Sequence, residues 1–188
     1  MVKKKKACVF ISGSGTNLRS IIRNSRDYNF PININLVISN KKSAAGIYFA
    51  KKFSIPHIVL DVSKEKFEKI ALKELFSRKI KLICLAGFMY VLSKSFIRNF
   101  RGNIINIHPS LLPKYKGLNT FKRALNAGEK MTGCTVHFVN EKLDNGKAII
   151  KKRVSINTGD NPEILKKKVQ LEEYKAYSIA IRKIYRLS

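Results

Sequence analysis

Short apolar runs recur along the first half of the chain, and the first of them is followed directly by glycines. They occupy residues 7–11, 33–38, 55–60, 82–86 and 104–108. Continuous apolar runs of this length predict strands that are buried on both faces of a parallel sheet. Between the runs, apolar residues have helical spacing at Leu18, Ile21 and Ile22, across residues 44–49, and again across residues 67–75. Alternating strands and helices predict a doubly wound α/β fold.

The pattern changes after Pro113. A short helix is predicted near residues 120–127, followed by two strands at 134–139 and 148–156 that form a hairpin around Leu143-Asp144-Asn145-Gly146. A long terminal helix is predicted to open at Asp160, because Glu163 stands three residues later in a capping-box arrangement. With no repeat, linker or internal shift of composition, residues 1–188 are predicted to form a single domain.

Three cysteines, Cys8, Cys84 and Cys134, are widely spaced and lie in or beside apolar runs. This pattern favours buried free thiols and a cytoplasmic protein over a secreted disulfide framework. The apolar stretch after the N-terminal lysines is too short for a signal peptide, and no run approaches the roughly 18 apolar residues of a membrane span.

The formal net charge is +26, from 38 Lys and Arg against 12 Asp and Glu. Such a charge attracts polyanions and phosphorylated ligands. The lysines are scattered over the whole length, however, and no basic stripe alternates with aromatic residues, so a compositional bias is favoured over specific nucleic-acid binding.

A glycine-containing loop, Ser12-Gly13-Ser14-Gly15-Thr16-Asn17, joins the first predicted strand to the first helix. Glycines and free N–H groups at a helix start favour an anion such as phosphate. Leu18 breaks the dinucleotide-binding pattern, and the loop lacks the Gly-Lys-Ser/Thr of a P-loop. A phosphate site and a tight strand-helix connection both fit this loop.

Asn106 and His108 stand two apart at the end of a predicted strand, before Pro109. Residues two apart in a strand point to the same face, so an amide donor and an imidazole would share the carboxyl edge of the sheet. The pair suits attack on a carbonyl, although a structural histidine at the core edge fits equally well. Asp144 reads equally as a turn residue or as a carboxylate that would stabilise a protonated His108.

His57 and His137 lie in apolar runs without a second ligand at metal-binding spacing, so both are interpreted as structural and no metal is predicted. Residues 85–92 are predicted to continue a buried strand past Gly87, as core or as an apolar wall for a flat ring.

Taken together, several motifs resemble the phosphoribosylglycinamide formyltransferase family, the folate-dependent enzymes of purine synthesis. They are Ser12-Gly-Ser-Gly-Thr-Asn17, Ala86-Gly-Phe-Met89, Asn106-Ile-His-Pro-Ser-Leu-Leu-Pro113, Tyr115-x-Gly117, and His137 followed by Asp144-x-Gly146. The resemblance implies a Rossmann-like fold and transfer of a formyl group from 10-formyltetrahydrofolate to glycinamide ribonucleotide. It further implies that the protein is a monomer or homodimer and that it binds a phosphorylated small molecule and folate. No association with a membrane is implied.

The resemblance also assigns roles. Asn106 and His108 would stabilise an oxyanion, His108 would be the general acid, and Asp144 would favour its protonated form. The implied substrate contacts are Gly15, Thr16, Asn17, Gln170 and Glu173. The implied folate contacts are Lys64, Met89, Tyr90, Val91, Leu92, Asn106, Asn140, Glu141, Lys142 and Leu143.

Some positions depart from the family pattern. Lys64 and Tyr90 stand where members often have Arg, and Asn119 stands where they often have His.

A methionyl-tRNA formyltransferase is the nearest alternative function. Such an enzyme normally carries a further tRNA-binding domain and an Arg at the place of Lys116. A formyltetrahydrofolate hydrolase, a second alternative enzyme, usually carries an N-terminal regulatory domain. The alternative that is not an enzyme is a basic nucleic-acid-binding module.

Overall fold

A computed structural model describes residues 4–185 of the chain. These residues divide into two compact units, 4–105 and 106–185. The ends of the predicted single domain, residues 1–3 and 186–188, lie outside the described residues.

The first unit alternates strands and helices. Its elements are β1 (Lys5–Ile11), α1 (Thr16–Ser25), β2 (Ile32–Ser39), α2 (Ile47–Lys52), β3 (His57–Val59), α3 (Lys64–Ser77), β4 (Leu82–Leu85), α4 (Lys94–Asn99) and the first part of β5 (Asn103–His108). β1 pairs in parallel with β2 and with β4, and β2 pairs in parallel with β3.

The second unit contains the end of β5, then α5 (Thr120–Asn126), β6 (Met131–Phe138), β7 (Ala148–Ser155) and α6 (Pro162–Ile184). β6 and β7 pair antiparallel, with Met131 opposite Ser155. The sheet has seven strands in the order β3-β2-β1-β4-β5-β6-β7. The predicted α/β fold, with a mostly parallel sheet, a C-terminal hairpin and a long terminal helix, is therefore confirmed.

The core of the first unit forms at the apolar runs of β1 and β4, whereas β3, also predicted to be buried, is partly exposed. Residues 7–11 of β1 are fully buried, and all four residues of β4 are buried. Phe10 of β1 packs against Phe67 and Phe88, with ring centroids 5.6 and 5.2 Å away. Burial of aromatic rings at such distances holds α3 and the segment after β4 on the sheet.

The segment after β4 corrects one prediction. The strand does not continue through residue 92; it ends at Leu85, and Gly87 turns the chain with φ +68. Glycine adopts a positive φ with little strain because it has no Cβ. This conformation takes the backbone out of the extended geometry of a strand, so the strand stops before Gly87. Helix α4 follows, with Ser93 as its N-cap, in a segment where the sequence pattern did not indicate a helix.

The start of α6 corrects another prediction. Asn161, not Asp160, is the N-cap, and its side chain accepts a hydrogen bond from the Ile164 N–H at 2.9 Å. Asp160 instead pairs with Lys168 at 2.7 Å and accepts the Asn157 N–H at 2.8 Å. The ammonium group of Lys168 lowers the pKa of the Asp160 carboxyl.

Asn161→Ala is expected to lower the free energy of unfolding by about 1 kcal/mol, the usual cost of losing a side-chain N-cap. Chemical denaturation measures this change. Thr158→Ala, in the exposed turn just before, is the matched control and should leave stability nearly unchanged. Equal losses in the two variants would show that the Asn161 cap does not stabilise α6.

The three cysteines are free and buried, as predicted. Burial raises the pKa of the Cys134 thiol to about 12, and it also raises the pKa values of Cys8 and Cys84. Within the part of the chain that the structure describes, none of the helices combines the length and the apolar character that crossing a membrane requires.

Candidate active site

Strand β5 carries Asn106 and His108 into the second unit. Asn106 is half-buried and His108 is buried, 5% exposed. The residues are two apart in a strand, so their side chains leave the same face. Both belong to one cluster that also contains Asp144 and His137.

His108 lies between two acceptors. Its Nδ1 is 3.3 Å from Asp144 Oδ2, and its Nε2 donates to the carbonyl oxygen of Tyr115 at 2.8 Å. A neutral imidazole has only one N–H, whereas the protonated ring has two. Each ring nitrogen of His108 thus faces an oxygen atom, one from a carboxylate and one from a backbone carbonyl.

Asp144 is held in place by the backbone. It is 8% exposed and has a positive φ of 44°, a conformation that Asp tolerates better than most residues. Its Oδ2 also accepts the Gly117 N–H at 2.9 Å. At Gly146, two residues later, an added Cβ would overlap the Phe138 carbonyl oxygen, so only glycine lets the loop close this tightly.

His137 is the fourth member of the cluster, although the sequence indicated a structural role. Its Nδ1 donates to the Phe138 carbonyl oxygen at 2.8 Å, while its Nε2 lies 3.5 Å from Asn106 Nδ2 and 3.8 Å from Asp144 Oδ1. Burial lowers the pKa of His137, so the neutral ring is favoured. A neutral ring with its proton on Nδ1 presents Nε2 as an acceptor to the Asn106 amide.

The loop that follows β5 supplies backbone groups that the sequence did not indicate. Thr135 Oγ1 donates to the Ser110 carbonyl oxygen at 2.7 Å and accepts the Leu112 N–H at 3.1 Å. These bonds fix the loop that presents the Tyr115 carbonyl and the Gly117 N–H to the cluster. Contacts made by backbone atoms leave no residue signature, and the Tyr115-x-Gly117 motif was the one available signal.

In the first unit, the predicted phosphate contacts lie at the start of α1. Gly15 is the N-cap in the left-handed conformation, and Thr16 is the first helical residue. An added Cβ at Gly15 would overlap Gly46, so the loop requires glycine at this position. The loop thus leads into the N-terminus of a ten-residue helix, the end of a helix that favours an anion.

The predicted folate segment, also in the first unit, alternates in exposure. Met89 and Val91 are each 57% exposed, whereas Leu92 is buried. Tyr90 donates its hydroxyl to the Val62 carbonyl oxygen at 3.2 Å, and its ring lies 5.8 Å from that of Phe67. The segment thus offers two exposed apolar side chains, and the contacts of Tyr90 hold it in place. Lys64, the other predicted folate contact in this unit, is the first residue of α3.

The remaining predicted contacts belong to the second unit. The four residues before Asp144 are all exposed: Asn140, Glu141, Lys142 and Leu143. Gln170 and Glu173 lie three apart on α6 and so share one face of that helix. Asn119 is the N-cap of α5 with a φ of 57°, which suits asparagine. Among residues 4–185, no group of three His, Cys, Asp or Glu side chains could hold a metal ion.

Comparison with known proteins gives the family. A model described as formyl transferase matches residues 5–181. The phosphoribosylglycinamide formyltransferase of Haemophilus influenzae is 42% identical over 183 residues, which cover 95% of this chain and 86% of that protein. The crystal structure of phosphoribosylglycinamide formyltransferase from Brucella melitensis matches with a TM-score of 0.91 at 39% identity, covering 99% of this chain and 97% of that one.

Longer relatives also match. The trifunctional purine biosynthetic protein adenosine-3 of Drosophila melanogaster is 42% identical over 185 residues, which cover 95% of this chain, and the chain spans 14% of the length of that protein. The two shorter relatives are covered over most of their length, and the family model extends from β1 into α6. The chain therefore belongs to the formyl transferase family, and within it to the phosphoribosylglycinamide formyltransferases, as its motifs indicated.

Proposed function

We propose that this chain transfers the formyl group of 10-formyltetrahydrofolate to the amine of glycinamide ribonucleotide, a step of de novo purine biosynthesis. Membership of the family supports the reaction. The observation that carries it is the cluster of Asn106, His108 and Asp144, in which an amide and a buried imidazole lie beside a buried carboxylate. Such a cluster suits a reaction in which an oxygen and a leaving nitrogen both become more basic.

The substrate amine attacks the formyl carbon, and the carbonyl oxygen becomes a tetrahedral oxyanion that the Asn106 amide and the protonated His108 stabilise. His108 gives a proton to the folate nitrogen as the carbon-nitrogen bond to it breaks, and the neutral imidazole then takes up the proton that the attacking nitrogen loses. Asp144 stabilises the charged imidazole, and His137 orients the Asn106 amide.

The binding roles are part of the same proposal. Gly15, Thr16 and Asn17 hold the substrate phosphate, and Gln170 and Glu173 contact the rest of the substrate. Folate binds along Lys64, residues 89–92, Asn106 and residues 140–143. The exposed Met89 and Val91 support this role, because apolar side chains at a fixed backbone can cover a flat ring.

We also propose that residues 1–188 form one formyltransferase domain and that the protein acts as a monomer or homodimer. Its partners are the phosphorylated substrate and folate, with no metal and no specific nucleic acid. A cytoplasmic location is supported by three buried free thiols.

Release of tetrahydrofolate, measured with two acceptors, tests the function. We expect turnover of 10-formyltetrahydrofolate with glycinamide ribonucleotide and none above background with methionyl-tRNA. Release without any acceptor would indicate the hydrolase instead. Duplex DNA is the control for the charge of +26: weak binding that falls steeply with salt is expected, and sequence-selective binding at high salt would contradict the proposal.

A further inference from the structure

The hydroxyl group of Ser12 joins three parts of the first unit. It donates to Asn40 Oδ1 at 2.6 Å and accepts the Met89 N–H at 2.8 Å. Both side chains are buried, with Ser12 7% and Asn40 1% exposed. Donation to Asn40 fixes the direction of the hydroxyl proton, which leaves an oxygen lone pair directed at Met89.

A second bond ties the same two segments. The Ser12 N–H donates to the Gly87 carbonyl oxygen at 3.2 Å. Ser12 therefore holds the turn after β4 at Gly87 and at Met89, on both sides of Phe88. Gly87 and Met89 are themselves exposed, whereas Phe88 between them is buried against Phe10 and Phe67. The turn is therefore held by the packing of Phe88 and by the bonds of its backbone to the buried Ser12.

Ser12 is also the first residue of the glycine-containing loop 12–17, which is called the phosphate loop below. The carbonyl oxygen of Gly13 accepts the Gly46 N–H at 2.9 Å, and Gly15 packs directly on Gly46. The Asn40 N–H donates to the Ile11 carbonyl oxygen at 3.4 Å. The loop is therefore tied to the segment that follows β2, and Ser12 is the residue of the loop whose hydroxyl group also bonds to the turn after β4.

Asn40 shows that this connection is maintained at a cost. Its Nδ2 is buried and has no hydrogen-bond partner among residues 4–185. A buried amide with an unsatisfied donor destabilises the fold relative to a satisfied one. Through Oδ1 the Asn40 side chain accepts one hydrogen bond, from the Ser12 hydroxyl group, and this bond orients that hydroxyl group.

We infer that Ser12 is a positioning residue that couples the phosphate loop to the folate segment, with Asn40 as the group that orients it. The inference rests on the proposed function, which makes residues 15–17 and 89–92 the two ligand segments. Binding of the phosphorylated substrate fixes Ser12 and thereby the Met89 backbone. Folate then binds to a segment that is already ordered, so each ligand strengthens the binding of the other.

Calorimetry of folate binding with and without bound glycinamide ribonucleotide measures this coupling. Tetrahydrofolate is expected to bind the wild-type chain at least about fivefold more tightly when the ribonucleotide is bound. In Ser12→Ala this ratio should fall to about one, with KM rising for both ligands and kcat changing little. Ser39→Ala is the matched control, because Ser39 is also buried and its hydroxyl group bonds to the backbone of Lys41 rather than to the turn after β4.

Asn40 provides the second pair of variants, which keeps the test valid should Ser12→Ala fail to fold. Asn40→Asp retains an acceptor for the Ser12 hydroxyl and should retain the coupling, whereas Asn40→Ala should lose it. Hydrogen exchange of the Met89 amide gives a readout independent of turnover: exchange should be faster in Ser12→Ala and unchanged in Ser39→Ala.

The outcomes separate the two claims. Normal wild-type turnover with an undiminished ratio in Ser12→Ala, or in Asn40→Ala, overturns the coupling and leaves the proposed function standing. An absence of formyl transfer by the wild-type chain overturns the proposed function and this inference with it.

Discussion

His108→Ala is expected to lower kcat for formyl transfer by about 10³-fold. The substitution removes both the group that donates a proton to the folate nitrogen and a positive charge beside the oxyanion, and losses of this kind each cost about 10²- to 10³-fold or more. Rapid-quench or steady-state release of tetrahydrofolate measures the loss. Calorimetric affinity for glycinamide ribonucleotide should stay near that of the wild type, because the phosphate contacts are assigned elsewhere.

His57→Ala is the matched control for this experiment. His57 is the first residue of β3, is half-buried, and bonds through Nδ1 to the Ile55 carbonyl oxygen at 3.2 Å. Its removal should leave kcat within about twofold, since it touches none of the cluster. Substantial turnover by His108→Ala would contradict the role of His108. Equal losses in the two variants would indicate a general loss of fold.

Asp144→Asn is expected to lower kcat by about 10²- to 10⁴-fold. The substitution keeps the shape of the side chain and an acceptor for the Gly117 N–H, but it removes the negative charge that faces the imidazole 3.3 Å away. A neutral amide no longer stabilises the protonated ring, and its NH₂ group can force His108 to present an acceptor instead. The measurement is kcat at saturating concentrations of both substrates.

Asp160→Asn is the control, because the two carboxylates are equally shielded. Each side chain is 6% exposed; Asp144 faces His108 and His137, and Asp160 pairs with Lys168. Loss of the Asp160 charge should lower stability without lowering kcat. Wild-type kcat in Asp144→Asn would show that the carboxylate serves only to hold the Gly117 loop.

The sequence predicted the sheet better than the turns that leave it. Fully apolar runs become buried strands almost regardless of context, as at residues 7–11 and 82–85. The chain reversal at Gly87 depends on a single positive φ within an apolar run, and no periodicity marks it. The cap of α6 fell one residue from its predicted place, because adjacent Asp160 and Asn161 are both good N-caps and packing of Lys168 on Asp160 decides between them.

The cluster could be predicted only in part. Period-two geometry placed Asn106 and His108 on one face, since both lie in one strand. Asp144 entered through the family motif, because a contact across 36 positions depends on how the hairpin folds. His137 was interpreted as structural because a lone histidine in an apolar strand has no pattern of its own. The roles of these residues stay predictions until the substitutions above are made.

The buried thiols have a practical consequence for work on this protein. A thiolate is the reactive form of cysteine, and Cys8, Cys84 and Cys134 are both inaccessible and strongly disfavoured as thiolates in the fold. The native chain should therefore resist alkylating reagents that label the unfolded chain rapidly. The rate at which such a reagent modifies the protein would count unfolding events directly, which gives a label-based clock for comparing the stability of every variant proposed above.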